Sequence, residues 1–226
     1  MRSTLAPMLE TIEVESGPEP VAAIIWLHGL GADGHDFEPI VPELVQRSEH
    51  AWRFVFPNAP VRPVTINGGM RMRAWYDIKG LDRNSAEDTA GFQAADGQIR
   101  ELIGREVTRG IPTSRIVLAG FSQGGAVSLY TLPRLRDKLA GIMALSCYLP
   151  GVASFSAERQ PANDATPIFM AHGTADATLP MALGLKSRDF LSAQGYSVEW
   201  HDYPMAHAVC AAEVADIRRF LSRVLA

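Results

Sequence analysis

The sequence predicts an α/β fold: a mostly parallel central sheet with helices on both faces. Three observations carry this. Continuous apolar runs of five or six residues recur along the chain, as strands buried on both faces require. Amphipathic stretches of helical period lie between them. The alternation of the two argues for βαβ units.

The elements follow in order. "MLETIEV" (Met8–Val14) alternates with period two and suits an exposed edge strand. "AAIIWL" (Ala22–Leu27), "WRFVF" (Trp52–Phe56), "RIVLAG" (Arg115–Gly120), "GIMALS" (Gly141–Ser146) and "PIFMAH" (Pro167–His172) are buried parallel strands, and "SVEWHDY" (Ser197–Tyr203) is the last strand. The stretch "DTAGFQAADGQIRELIGREVTRG" places Ile99, Leu102, Ile103 and Val107 on one helical face. "PMALGLKSRDFLSAQG" starts with proline and ends with glycine, the usual helix punctuation. The closing helix carries a stripe of Val214, Ile217, Leu221 and Val224. Right-handed crossovers then align the strand C-termini along one edge, where ligand sites form. Pro57–Trp75 fits neither period; three prolines and the turn "NGG" suggest a short hairpin lying over a site.

Composition narrows the function. The chain has 226 residues, 47% hydrophobic and 20% charged, which suits one domain spanning 1–226. A net charge of −4 offers no basic surface for nucleic acid. No apolar run approaches the roughly 20 residues of a membrane helix, and "MRSTLAPMLETIEVESGPEP" lacks the apolar core of a signal peptide. The expected location is the cytoplasm. Cys147 and Cys210 form no Cys-x-x-Cys pair and read as core thiols rather than zinc ligands. No metal or organic cofactor is expected.

"GFSQG" (Gly120–Gly124) follows a strand and opens a helix, the context in which Gly-x-Ser-x-Gly raises a nucleophile above a sheet. Ser122 needs a base. Three histidines follow it: His172 precedes the acid candidate, His201 sits inside an alternating strand, and His207 lies in the turn after the last strand. His207 is the candidate. Between them Asp176, just after a buried strand, is preferred over Asp164 in a loop, Asp189 in a helix and Asp202 in a strand; a plain helix N-cap is the competing role for Asp176. An oxyanion needs amide donors: that of Gln123, next to the serine, and one from "LHGLGADGHDF", with Leu30 the candidate. "GLGADG" also nears a dinucleotide fingerprint, but no acidic residue sits at the end of a second strand to support it.

"HGLGADGHDF", "PVTINGGMRMRAWYDI", "GFSQGGAVSLY", "HGTADATLP" and "MAHAVC" occur in that order from about Trp26 to the C-terminus. Together they resemble the carboxylesterase and acyl-protein thioesterase family of α/β-hydrolases. The resemblance implies the α/β-hydrolase fold, a triad of Ser122, Asp176 and His207, and an oxyanion hole at Leu30 and Gln123. It also implies acyl-pocket walls at Trp75, Ile78 and Leu179. The expected activity is carboxylesterase cleavage of hydrophobic acyl esters through an acyl-serine. Acyl-protein thioesterase or lysophospholipase activity is the alternative, and a non-catalytic binding protein on this fold a remoter one. The expected partner is thus a small ester or thioester, a lipid or an acylated protein; a homodimer stays open. Arg71 and Arg73 alternate with Met70 and Met72 and are expected to face away from the apolar side.

Overall fold

The computed structural model describes residues 8–46, 48–80 and 86–226. The edge strand β1 (Thr11–Glu15) runs antiparallel to β3 (Trp52–Pro57). Inward from β3 lie β2 (Ala22–Leu27), β6 (Ile116–Phe121), β7 (Gly141–Leu145), β8 (Ile168–Gly173) and β9 (Val198–Tyr203), all parallel. The seven-stranded order is β1-β3-β2-β6-β7-β8-β9.

The continuous apolar runs are explained by two cores. In β2, Ala23, Ile25 and Leu27 face one core and Ala22, Ile24 and Trp26 the other. The first core packs under α2 (Thr89–Thr108), α3 (Gln123–Thr131) and α5 (Met181–Ala193), the second under α1 (Val41–Leu44) and α6 (Ala211–Val224). A further short helix, α4 (Phe155–Glu158), sets Phe155 into the first core.

Asp88 caps α2, accepting the Gly91 N–H at 3.2 Å. At its far end the expected stripe gives way. Val107 is 44% exposed, while Glu106 is fully buried and held by Arg53 (2.8 Å), Arg109 (2.9 Å) and Arg105 (3.2 Å). Three guanidiniums satisfy that carboxylate, so the helix turns it inward and the valine outward. On α6 Val214, Ile217 and Leu221 are buried as expected, Val224 is half-buried against the same core, and Phe220 joins them.

Residues 57–75 do form a hairpin: β4 (Val61–Val64) pairs antiparallel with β5 (Met70–Arg73). Gly68 (φ 65°) and Gly69 (φ 79°) take the left-handed conformations that close it. Cys147 is buried as expected, but Cys210 is only half-buried, at the start of α6; both are free thiols. Among the described residues no helix is long and apolar enough to cross a membrane.

Candidate active site

Ser122 joins β6 to α3 with φ 54° and ψ −116°. A non-glycine residue rarely adopts these angles, at a cost of about 1–3 kcal/mol. The flanking glycines explain how the turn closes. A Cβ on Gly120 would strike the backbone of Gly124, and one on Gly124 would strike the Leu27 carbonyl at the end of β2. The serine is thereby pressed up at the C-terminal edge of the sheet.

His207 and Asp176 reach it from the β9–α6 and β8–α5 connections. His207 Nε2 lies 2.9 Å from Ser122 Oγ, and His207 Nδ1 lies 2.6 Å from Asp176 Oδ2. A carboxylate can only accept, so Nδ1 carries the proton and the Nε2 lone pair faces the hydroxyl. Asp176 Oδ1 is occupied by the amides of Thr178 (2.9 Å) and Leu179 (2.8 Å), leaving Oδ2 for the imidazole. The bonds that close the turn and the bond to the imidazole thus coexist in one carboxylate. Gly173 lets the His207 loop approach: a Cβ there would strike the carbonyls of Met205 and Ala206. The Phe121 ring, 4.8 Å from that of His207, covers the imidazole.

The loop after β2 completes the edge. A Cβ on Gly29 would sit 3.5 Å from that of Ser122, so the chain passes against the serine itself. Among the described residues the Leu30 amide has no acceptor of its own, and that of Gln123 opens α3, where helical N–H groups lack partners. The loop is braced by His28. Its Nδ1 is 2.7 Å from the Gly29 carbonyl, and its Nε2 accepts the Ala59 N–H at 3.0 Å. Only a neutral ring with the proton on Nδ1 makes both bonds, and burial pushes its pKa below the usual histidine value.

Trp75 departs from expectation. Its ring is fully buried, and its Nε1–H donates to the His28 carbonyl at 2.9 Å. It frames the loop from behind and does not line the cleft. The neighbouring Tyr76 does. Gln123 secures both: its Oε1 accepts the Trp75 N–H at 2.8 Å, and its Nε2–H donates to the Tyr76 carbonyl at 2.8 Å.

In front of Ser122 and His207 lies a cleft of about 340 Å³ lined by Leu30, Ile66, Ile78, Phe121, Tyr148 and Leu179. Ile78 and Leu179 stand where expected. Ile66, Phe121, Tyr76 and Tyr148 were not among the expected walls. The signal for Phe121 was its place inside the serine motif, and for Ile66 its place in the hairpin turn. Among the described residues no Lys or Arg lines this cleft. Arg71 and Arg73 donate instead to the Val61 and Ala59 carbonyls. One acid does line it: Asp36, whose pKa burial pushes up.

A family model described as phospholipase/carboxylesterase matches residues 9–225. The chain belongs to the phospholipase/carboxylesterase family. It is a hydrolase of the α/β-hydrolase fold. It is 42% identical over 214 residues to acyl-protein thioesterase 1 of Neurospora crassa, covering 90% of this chain and 87% of that one. To acyl-protein thioesterase 1 of Yarrowia lipolytica it is 39% identical over 221 residues, covering 95% and 97%. Among solved structures, Arabidopsis thaliana SOBER1 superposes with a TM-score of 0.85 at 29% identity, over 91% of this chain and 99% of that one. Zea mays acyl-protein thioesterase 2 does so at 0.84 and 26%, over 96% and 100%.

Proposed function

We propose that this esterase-family chain hydrolyses hydrophobic acyl esters and thioesters through an acyl-serine on Ser122. The observation that carries the reading is the line Asp176 Oδ2–His207 Nδ1 (2.6 Å), His207 Nε2–Ser122 Oγ (2.9 Å) opening on an apolar cleft.

In this reading Oγ attacks the acyl carbon as Nε2 takes its proton. Asp176 stabilises the imidazolium and keeps the ring aimed. The carbonyl oxygen gains negative charge and turns to the amides of Leu30 and Gln123. The Nε2 proton then passes to the departing alkoxide or thiolate, leaving acyl-Ser122 and a free alcohol or thiol. Water, deprotonated by the same Nε2, attacks the acyl carbon; Nε2 then returns that proton to Ser122 Oγ as the acyl–Oγ bond breaks, releasing the carboxylic acid and restoring the free serine. The acyl chain lies against Leu30, Ile78 and Leu179. Cleavage of acylated proteins is a second reading, favoured by the likeness to the two fungal acyl-protein thioesterases.

Ser122→Ala tests the nucleophile. Turnover of a medium-chain acyl ester should fall by a factor on the order of 10⁶ with the circular-dichroism spectrum unchanged. Fluorophosphonate should label wild type on the peptide that contains Ser122. Near-wild-type turnover in the variant overturns the reading. The same acyl group presented as a simple ester and as an S-acyl peptide separates the two substrate classes by kcat/KM.

A further inference from the structure

His172 belongs to neither the catalytic line nor the cleft wall, yet its imidazole is 1% exposed and lies against both. It ends β8, four residues before Asp176. Its Nε2 is 2.8 Å from the Leu179 carbonyl, so that nitrogen carries the proton. The same nitrogen is 3.5 Å from Asp176 Oδ2, the oxygen that receives His207 Nδ1–H. The ring is clasped between α5 and β9. A Cβ on Gly184 would come within 2.6 Å of its Nδ1, and the Trp200 ring stacks on it at 6.2 Å and 20°. The Asp176–Leu179 turn is therefore closed from two sides: the Leu179 amide donates to Asp176 Oδ1, and the Leu179 carbonyl accepts from His172.

We propose that His172 is a positioning residue for both the acid and the acyl wall: its Nε2–H locks the Asp176–Leu179 turn, fixing the aim of the carboxylate at His207 and the place of Leu179 in the cleft. The proposal rests on the triad reading above. A second effect follows from the same geometry. The positive end of the N–H dipole beside Oδ2 weakens the carboxylate's pull on the His207 proton. The other charged and titratable groups around the ring are Asp176 and His207 themselves, Asp202, its register partner on β9, and Arg188 of α5, whose guanidinium lies 5.4 Å over Trp200. Removing the donor leaves His207 facing a more basic carboxylate, which favours the imidazolium. Because the attack needs neutral His207, the acid limb of kcat/KM should move to higher pH.

Two substitutions separate this from simple packing. His172→Phe keeps a ring and removes the donor; His172→Gln places an amide N–H close to the lost Nε2–H. In the phenylalanine variant kcat/KM should drop roughly 10- to 100-fold, with the acid limb moved to higher pH. In the glutamine variant the limb should return to its wild-type position and kcat/KM to within about threefold of wild type. An unmoved limb in a folded His172→Phe protein, or equal losses in both variants, overturns the proposal. The wild-type protein gives an independent reading: long-range ¹H–¹⁵N correlation of its histidine rings should find His172 protonated on Nε2, and protonation on Nδ1 alone refutes the lock. Failure of the triad reading is seen elsewhere, as turnover in Ser122→Ala.

Discussion

Replacing Glu213 with glutamine should change how stability depends on pH, by an amount set by where the carboxyl sits. Glu213 lies in the first turn of α6, fully buried, and neither carboxyl oxygen has a hydrogen-bond partner among the described residues. Burial pushes its pKa up from 4.5 to about 8, a shift that the nearby Cys210 amide only partly offsets. Between those two values the folded chain holds a proton that the unfolded chain has released, so stability is highest at low pH and falls as pH rises toward 8. Each pH unit inside that window costs about 1.4 kcal/mol, so from pH 6.5 to 9 the loss is about 2 kcal/mol, most of it below pH 8. Glu213→Gln cannot ionise and escapes it. Urea unfolding of both proteins at four pH values across this range gives the test, because subtracting one curve from the other cancels every other titrating group. The variant should gain about 2 kcal/mol on wild type from pH 6.5 to 9. A difference that stays flat, or that shrinks with pH, refutes the argument that Glu213 is protonated by burial.

Gln123→Leu loses the two side-chain bonds to the Trp75 amide and Tyr76 carbonyl. Each leaves a buried backbone group unpaired, so denaturant unfolding should show a loss of about 2–4 kcal/mol. Specificity should rise with acyl length at up to about 0.8 kcal/mol per methylene until the cleft is full, then fall; a p-nitrophenyl ester series measures it, and Ile78→Trp should move the maximum to shorter chains. Dialysis against a strong chelator should leave turnover unchanged, since the proposed chemistry uses only serine, imidazole, carboxylate and amides; activity that returns only on adding metal refutes this.

The strands were readable because burial on both faces demands unbroken apolar runs, and β2, β6, β7 and β8 obey that demand residue by residue. The serine turn was readable because close backbone approach at Gly120 and Gly124 tolerates no side chain. His207 and Asp176 followed from chain order on such a sheet. What escaped the sequence depends on which way a side chain turns. Trp75 and Tyr76 are adjacent and both aromatic, and the choice between them was made by the His28 carbonyl, 47 residues away, which takes the indole N–H. Glu106 and Val107 likewise exchanged places because three arginines, one on β3, one on α2 and one capping the C-terminus of α2, meet the carboxylate. Asp36 follows no periodic pattern, and Glu213 stands on the buried face of α6, four residues before Ile217, where the period leads one to expect an apolar side chain.

The hairpin is held to the rest of the site by backbone bonds at both ends. The Arg73 carbonyl accepts the Gly31 N–H at 2.9 Å, and the Ile66 N–H donates to the Ile78 carbonyl at 2.8 Å. Gly31 directly follows Leu30, and Ile66 lines the cleft. One strut therefore connects the hairpin proposed to bound the acyl chain to the loop proposed to receive the oxyanion. Remodelling the hairpin to accept a new chain length will shift that loop as well, so directed evolution of this chain should find selectivity and turnover changing together. Changes of selectivity alone should come from Tyr148, which borders the cleft from the connection after β7.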